Sequence, residues 1–207
     1  QTMSLTREGH AALLHRFVTF AGQTHRLPNP FFVLATQNPI EQAGTYPLPE
    51  AQLDRFLLRI DVGYPTEDEE IAMVARTTHA GLNDASAAMD VASLLRLQAL
   101  VREIEIGDHL LRYATRLIRA TRPQETSVER VRKQVGWGAG PRAGQALVLA
   151  SKARACMHGR LAVTREDIAA MLLPVLAHRV LRNFEAEADG VAIADILQAI
   201  TQQIQID

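Results

Sequence analysis

The pattern of hydrophobic and polar positions changes character near residue 65. Before that point, short apolar runs stand between prolines and glycines. Residues 31–36 (FFVLAT) and 57–62 (LLRIDV) predict buried strands of a parallel sheet. Residues 17–20 and 23–27, separated by Ala21 and Gly22, predict a small hairpin ahead of them. This part of the chain therefore has the pattern of an α/β layer.

The segment between the two predicted strands is rich in proline and glycine. Gly44, Pro47 and Pro49 predict a loop over residues 40–50. Residues 49–56 then predict a short helix, because proline suits the first helical position and Glu50 suits the positive end of the helix dipole.

Beyond residue 66 the apolar positions recur at helical spacing. Thr66 and Glu69 are placed as a capping box at the first helix. Glycines and Thr164 separate the later helices. The predicted helices are 67–79, 91–104, 108–121, 125–134, 141–157, 164–177 and 191–203. The positions that we expect to be buried are Leu94, Leu97, Val101, Ile104, Ala146, Leu149, Ala150 and Ala153.

The pattern thus predicts two domains in a chain that is mainly α-helical. Residues 1–65 form an α/β piece, and residues 66–207 form an all-α domain. A chain of 207 residues is long enough to bury a sizeable core in this arrangement.

The composition of the chain limits the classes of function that it can have. The hydrophobic fraction of 47% and the charged fraction of 22% are those of a globular protein, and the longest apolar stretch is too short to span a membrane. A net charge of -1 argues against a nucleic-acid partner. Cys156 is alone and is interpreted as a small buried hydrophobe. With no secretory signal pattern, we expect a cytoplasmic protein.

Two polar residues in the first domain are candidates for chemistry. Asn38 follows an apolar strand, at the sheet edge where α/β proteins bind ligands, and its amide could orient a water or a phosphate oxygen. Alternatively, Asn38 only starts a turn before Pro39. Arg55 carries a planar fork that suits phosphate oxygens. Its alternative is a surface ion pair with Asp54 or Glu50.

The third candidate is Arg142, at the start of a predicted helix. Gly138 and Gly140 lead into that helix, and Pro141 suits its first position. The free N–H groups of a helix start attract anions, and an arginine adds to this attraction. An ordinary junction with a solvated arginine is the alternative.

A resemblance to a known family joins these candidates. Residues 34–56 read LATQNPIEQAGTYPLPEAQLDRF, which resembles the signature stretch of the MoxR family of AAA+ ATPases almost residue for residue. Similarity continues in GYP at 63–65, GPRA at 140–143, PVLAHR at 174–179 and NFEA at 183–186. The resemblance covers roughly residues 17–200.

The resemblance implies the end of a P-loop ATPase core followed by a helical lid. It matches Asn38 to the sensor 1 position, Arg55 to the arginine finger and Arg142 to the sensor 2 arginine, with Asn38 and Arg142 also binding the nucleotide. Two arginines would offset charge on the transferred phosphoryl group, and the amide would place the water. ATP and Mg²⁺ are the implied cofactors.

The chain departs from the family pattern in several places. It contains no G-x-x-x-x-G-K-[ST] motif and no acidic Walker B pair, so we expect these to lie upstream and this chain alone to be inactive toward ATP. The junction between residues 12–14 (ALL) and Val18 is shorter than in the family. Gly140 stands where a serine is common, which removes a side-chain cap but keeps Arg142.

The expected function is an ATPase that remodels or matures a partner protein, for example by inserting a metal or cofactor. The resemblance also implies a homo-oligomer, a hexameric ring, in which the finger of one subunit reaches the nucleotide of the next. One alternative is a non-enzymatic helical interaction module that kept the lid. A DNA-processing AAA+ subunit is disfavoured by the neutral charge.

Overall fold

A computed structural model describes residues 17–20, 22–37, 48–78 and 86–206. Regular elements in these ranges are mainly helices, with two small antiparallel sheets. In chain order the elements are β1 (Phe17–Phe20), β2 (Gln23–Arg26), α1 (Glu50–Leu53), α2 (Glu67–Thr78), α3 (Val91–Glu103), α4 (Asp108–Ala120), α5 (Glu129–Gln134), β3 (Val135–Trp137), α6 (Pro141–Met157), α7 (Arg165–Leu176), β4 (Leu181–Arg182), α8 (Phe184–Ala188) and α9 (Ile193–Gln203).

The predicted hairpin is confirmed. Strands β1 and β2 pair antiparallel, with Phe17 opposite Arg26 and Phe20 opposite Gln23. Gly22 lies in the connecting turn with φ of 79°, a conformation that glycine adopts without a steric cost.

The two predicted buried strands are not formed, and that prediction is wrong for this structure. Residues 31–37 and 57–62 are extended but belong to no sheet, and Phe32, Leu34 and Val62 are exposed. A strand is stabilised by ladder hydrogen bonds and by layers on its faces. The described part of the chain supplies no ladder to either segment, and within residues 57–62 only Leu58 packs against the core.

The capping box predicted at Thr66 and Glu69 is confirmed, whereas the Asp90 cap was not predicted. The Thr66 N–H donates to the Glu69 carboxylate over 2.8 Å, and the Glu69 N–H donates to the Thr66 hydroxyl over 3.4 Å, which completes the capping box of α2. Asp90 caps α3 by accepting from the Ser93 N–H over 2.6 Å. Two helices are shorter than predicted by four residues each, and the other differences are one or two residues: α1 lacks residues 49 and 54–56, and α5 begins at residue 129 instead of 125.

The core lies among α4, α6, α7 and α9, with α5 against one side. Helix α6 presents small residues, including Ala143, Ala146 and Ala150, which let α7 approach it closely. The largest fully buried aliphatic side chains around it are Leu117, Val131, Leu147, Ile168, Val175, Leu176, Ile196 and Ile200. The helical part after residue 103 thus has its own core.

Helices α2 and α3 contribute little to this core. None of their residues is buried, and Leu94 and Leu97 are 38% and 42% exposed, so the prediction that they are buried is wrong. Val101 is half-buried, and only Ile104, just past the end of α3, is fully enclosed. Ala146 and Ala150 are buried as predicted, while Leu149 and Ala153 are half-buried. Helix α3 packs against α6, but its predicted apolar face is only partly covered by the described residues. The domain division at residue 65 stays a prediction.

A small sheet and one helix were not predicted. Strand β3 pairs antiparallel with β4, which places Val135 opposite Arg182. Asn183 then caps α8 and donates from its side-chain amide to the Lys133 carbonyl over 2.7 Å. This sheet ties the segment before α6 to the segment after α7. Among the described residues, no helix has the length and apolar character that crossing a membrane requires.

Asp167 is a buried charge at the start of α7. Arg160 donates to its carboxylate over 2.6 and 2.7 Å, Arg154 donates over 2.5 Å, and the Thr164 N–H completes the shell over 2.9 Å. The hydrogen bonds from Arg160 lower the pKa of Asp167 from its ordinary 3.8. The loop after α6 is thereby locked to the first turn of α7.

We expect Asp167→Asn to lower the free energy of unfolding of the chain by about 3 kcal/mol, because it leaves two arginines without their anion. Denaturant unfolding at pH 7 measures the effect. The exposed Asp195→Asn change should cost less than about 0.5 kcal/mol.

The Asp167 contribution should also depend on pH. A carboxylate whose folded pKa is lowered stabilises fully above its unfolded pKa and loses that effect as pH falls below about 4. The stability difference between the unaltered chain and Asp167→Asn should therefore shrink from pH 6 to pH 3. A constant difference over that range would contradict the assigned cause.

Candidate functional site

The segment after α1 runs along the end of α7. Its backbone is attached there by the Arg59 N–H, which donates to the Pro174 carbonyl over 2.8 Å. Leu58 packs against the core on the same side. Residues 54–59 are therefore held by the helical domain, although they belong to the first half of the sequence.

Arg179 provides most of this attachment. Its side chain is 3% exposed and lies in the turn after α7. The guanidinium donates to the carbonyls of Asp54 (2.9 Å), Phe56 and Leu57 (3.2 Å), and to the Val175 carbonyl in the last turn of α7. Burial lowers the pKa of Arg179, and the Asp54 carboxylate acts in the opposite direction.

The Asp54 carboxylate joins two arginines from different parts of the helical domain. Its Oδ1 accepts from Nε of Arg179 over 3.1 Å, and its Oδ2 lies 3.6 Å from Nη1 of Arg142. Asp54 is itself the residue that follows α1 and precedes Arg55. The Asp54 carboxylate, next to Arg55 in the chain, is thus bound both at the start of α6 and just after the end of α7.

Arg55 differs from the residues around it. Its side chain is half-buried, and its Nε is buried without a hydrogen-bond partner among the described residues. The ion pair with Asp54 or Glu50 that was the alternative interpretation does not form within the described part of the chain, since Asp54 faces Arg142 and Arg179 instead. The backbone on both sides of Arg55 is fixed, while no described residue forms an ion pair with its guanidinium.

His178 adds a second attachment beside Arg179. Its Nε2 lies 3.1 Å from the Phe56 carbonyl and therefore carries the proton and donates. Its Nδ1 is buried with no partner in the described residues. Burial, and then the charge of Arg179, lower the pKa of His178. The imidazole is neutral at pH 7 and acts as a hydrogen-bond donor.

Arg142 lies in the first turn of α6, as predicted. Gly140 precedes the helix without a side-chain cap, and Pro141 occupies the first position. The Arg142 side chain is 54% exposed, and its Nη1 lies 3.6 Å from the Asp54 carboxylate. A half-exposed arginine beside uncapped helix N–H groups is an arrangement that can bind an anion.

The loop that leads to Arg142 is fixed by a close approach. A Cβ atom on Gly138 would lie 2.5 Å from the Thr121 carbonyl oxygen and 2.7 Å from the Arg122 Cα, so only glycine fits. The Thr121 hydroxyl accepts from the Ala139 N–H over 2.9 Å, and Arg122 donates to the Ala139 carbonyl over 3.1 Å. The start of α6 is thus anchored to the end of α4.

The structure brings Arg142 to the residue next to Arg55, while Asn38 lies outside the described residues. Asp54, His178 and Arg179 were missed as site residues. His178 and Arg179 stand in the stretch that resembles the family, and Asp54 was considered only as a partner of Arg55. The sequence signal for His178 and Arg179 was their position as an adjacent His-Arg pair directly after a long apolar helix.

The donor set fits a phosphate group more closely than a metal ion. Within the described part of the chain, no acceptor binds the Nε of Arg55, and Arg142 is 54% exposed with its Nη1 3.6 Å from Asp54. Among the described residues, no group of three or more His, Cys, Asp or Glu side chains could hold a metal. These residues can therefore contribute phosphate contacts.

Comparison with known proteins agrees with this layout. The family model of ATPases associated with various cellular activities (AAA) matches residues 8–58, and the AAA lid domain model matches residues 127–200. Chaperone MoxR1 of Mycobacterium tuberculosis is 36% identical over 194 residues, which cover 92% of this chain and 51% of that protein. Protein MoxR of Paracoccus denitrificans is 31% identical over 187 residues, covering 83% of this chain and 55% of that protein. The chain belongs to the MoxR family of AAA+ ATPases.

A solved structure supports the fold of this MoxR-family chain. A crystal structure of a protein from Cytophaga hutchinsonii that is assigned as an ATPase superposes with a TM-score of 0.87 at 35% identity, over 96% of this chain and 62% of that one. The fold is the end of an AAA+ core followed by a helical lid. The chain spans about half the length of the curated relatives it matches.

The two family models meet at the site described above. Asp54 and Arg55 lie within the AAA match, whereas Arg142, His178 and Arg179 lie within the lid match. The Asp54 carboxylate is therefore a contact between the AAA+ core segment and its lid.

We expect Gly138→Ala to destabilise the chain by about 1–3 kcal/mol, because the added methyl group meets backbone atoms that cannot move freely. Gly144→Ala is the matched control. Gly144 lies inside α6 with open space around it, so alanine there should stabilise by about 0.5–1 kcal/mol. Thermal unfolding of both variants would refute the steric assignment if their effects had the same sign.

We expect the stability of the chain to fall as pH drops from 7 to 5, partly through His178. A histidine with a lowered folded pKa stabilises fully above its unfolded pKa near 6.5 and loses this effect as pH falls below it. His178→Gln should give a shallower slope between pH 7 and 5. An NMR titration that found the His178 pKa above 6.5 would contradict the structure.

Proposed function

We propose that the protein containing this chain is an ATPase whose subunits act on one another in a ring, and that the chain supplies its two catalytic arginines. Family membership supports the activity. The observation that carries the assignment of residues is the meeting of Arg142 and the Arg55 segment at a single carboxylate, Asp54.

Arg142 has the role of the lid arginine that contacts the nucleotide. It stands at the first turn of α6 on a loop fixed by Gly138, so its backbone position is defined while its half-exposed side chain can turn. Asp54 neutralises it at 3.6 Å, a distance at which competition from a phosphate is inexpensive. Arg142 would stabilise charge on the γ-phosphate as that group departs.

Arg55 has the role of a finger for the neighbouring subunit. Its backbone is held on both sides, and its guanidinium has no ion-pair partner among the described residues. A charge held in this way is available to a group brought by another molecule. In phosphoryl transfer, arginine fingers contribute on the order of 10³–10⁵ in rate.

Asn38 would place the attacking water through its amide, as the resemblance implies. ATP with Mg²⁺ supplies the phosphoanhydride bond and a cation that offsets the charge of its phosphates. Contacts to the metal and most phosphate contacts belong to a P-loop and an acidic Walker B pair in the rest of the protein, so the chain by itself would neither bind ATP tightly nor hydrolyse it.

The energy of hydrolysis would serve a partner protein. A homo-oligomeric ring, with six subunits as the expected number, follows from a finger that acts head to tail. The relative from Mycobacterium tuberculosis carries the name chaperone, which favours remodelling or maturation of a client, including metal or cofactor insertion. We place this activity in the cytoplasm.

One observation favours an interaction role beside catalysis. Helix α3 leaves Leu94, Leu97 and Leu100 about 40% exposed along one face. A non-enzymatic interaction module would use such a face without Arg55. The Arg55→Ala experiment distinguishes the ATPase from the interaction module, because only the ATPase depends on that arginine.

We expect Arg55→Ala to abolish ATP hydrolysis by the complete protein and to leave assembly intact. Mixing it with subunits that lack the P-loop lysine should restore part of the activity, because some interfaces then pair an intact nucleotide site with an intact finger. Steady-state hydrolysis in mixed rings verified by mass measures the recovery.

Arg59→Ala is the matched control for this experiment. Arg59 lies four positions further along the same segment, is half-exposed and, among the described residues, forms its ion pair with the exposed Asp61. Its loss should change hydrolysis less than about twofold, since an exposed ion pair contributes little. Full activity of Arg55→Ala alone, or no recovery in the mixed rings, would refute the finger role.

A further inference from the structure

We propose that Arg179 is a positioning residue for Arg55, through which the lid of one subunit sets the finger that serves the next subunit. The geometry that points to this role is a buried lid guanidinium bound to the backbone on both sides of Arg55. The inference rests on the proposed finger function of Arg55.

The contacts of Arg179 are concentrated on a very short stretch of chain. It donates to the carbonyls of residues 54, 56 and 57, and skips residue 55. His178 reinforces the same point by donating to the Phe56 carbonyl. The described residues that flank Arg55 are thus bound to the lid, and the finger itself is left for another molecule.

Arg179 is also bound to the lid through its Nη1, which is shared between the Leu57 carbonyl and an acceptor in α7. Its Nη1 also donates to the Val175 carbonyl inside α7, and Val175 is fully buried in the lid core. A movement of α7 must therefore carry Arg179 with it, and the segment around Arg55 follows. Positional shifts of about 1 Å can change catalytic rates on the order of 100-fold.

Asp54 links this contact to the subunit's own nucleotide site. Its Oδ1 is held by Arg179 while its Oδ2 faces Arg142. When Arg142 turns toward a phosphate, Asp54 loses one cation and keeps the other. The state of one nucleotide site is thereby connected to the finger that acts on the adjacent site.

Lysine cannot reproduce these contacts. The N–H donors of the Arg179 guanidinium point outward in one plane and reach acceptors along different edges, whereas an ammonium group is a single point with three donors. Arg179→Lys keeps the positive charge and most of the side-chain volume. It is therefore the variant that separates position from charge.

The first experiment tests the physical link in the 207-residue chain by hydrogen exchange. Arg179→Lys should raise the exchange rate of amides in residues 49–59 by on the order of tenfold or more, with α4, α6 and α7 still protected. Arg154→Lys is the matched control, because Arg154 binds the buried Asp167 and does not contact residues 54–57. Unchanged exchange over residues 49–59 in Arg179→Lys would overturn the inference.

The second experiment asks which nucleotide site the change affects, in mixed rings of the complete protein. Donor subunits lack the P-loop lysine and keep Arg55, and acceptor subunits carry Arg55→Ala and keep the P-loop. Arg179→Lys placed in the donor should reduce the recovered hydrolysis on the order of 10- to 100-fold. Placed in the acceptor, it should have an effect below about threefold, because the finger of that subunit is already absent.

The difference between the donor and the acceptor placement distinguishes a positioning role of Arg179 from a loss of folding. A folding defect would lower activity equally in both placements, and a role at the subunit's own nucleotide would lower it in the acceptor. Either result overturns the inference. If the unaltered donor and acceptor mixture shows no recovery, the finger function of Arg55 fails and the inference falls with it. Recovery there, with loss only in the Arg179→Lys donor, supports both.

Discussion

The arrangement of this chain depends on one buried cation placed among carbonyl oxygens. Burying the Arg179 guanidinium without partners would cost free energy. It is stable there because four oxygens of residues 54–57 and one of α7 accept hydrogen bonds from it. The carbonyls in turn belong to an irregular segment that has no helix or sheet to satisfy them. Each side of the contact meets a requirement of the other, so the core segment and the lid are fixed together.

The lid uses the same kind of interaction a second time, with the charges reversed. At the start of α7 a buried carboxylate, Asp167, is surrounded by Arg154, Arg160 and a backbone N–H. At the end of α7 a buried arginine is surrounded by oxygens. Both ends of this helix are thus fixed by specific directional contacts, and the apolar residues between them provide the area that drives packing.

Local rules predicted the helices well and the site only in part. The capping box at Thr66, Pro141 at the first position of α6, and the 3.6-residue period each depend on residues close in sequence. The contact between Arg179 and Asp54 joins residues 125 positions apart, and no local pattern contains it. The strand pattern of residues 31–36 was misleading for a related reason. An apolar run indicates a preference for burial, but whether a sheet forms depends on neighbouring strands.

The exposed extended segments have a consequence for how the chain behaves in solution. Residues 31–37 and 57–62 combine strand-forming side chains, among them Phe32, Leu34, Ile60 and Val62, with a backbone that belongs to no sheet. Segments of this kind act as templates on which a strand from another molecule can add. At high concentration, self-association of the isolated chain would begin at residues 31–37 and 60–62, because residues 57–59 are already bound to the end of the lid helix α7.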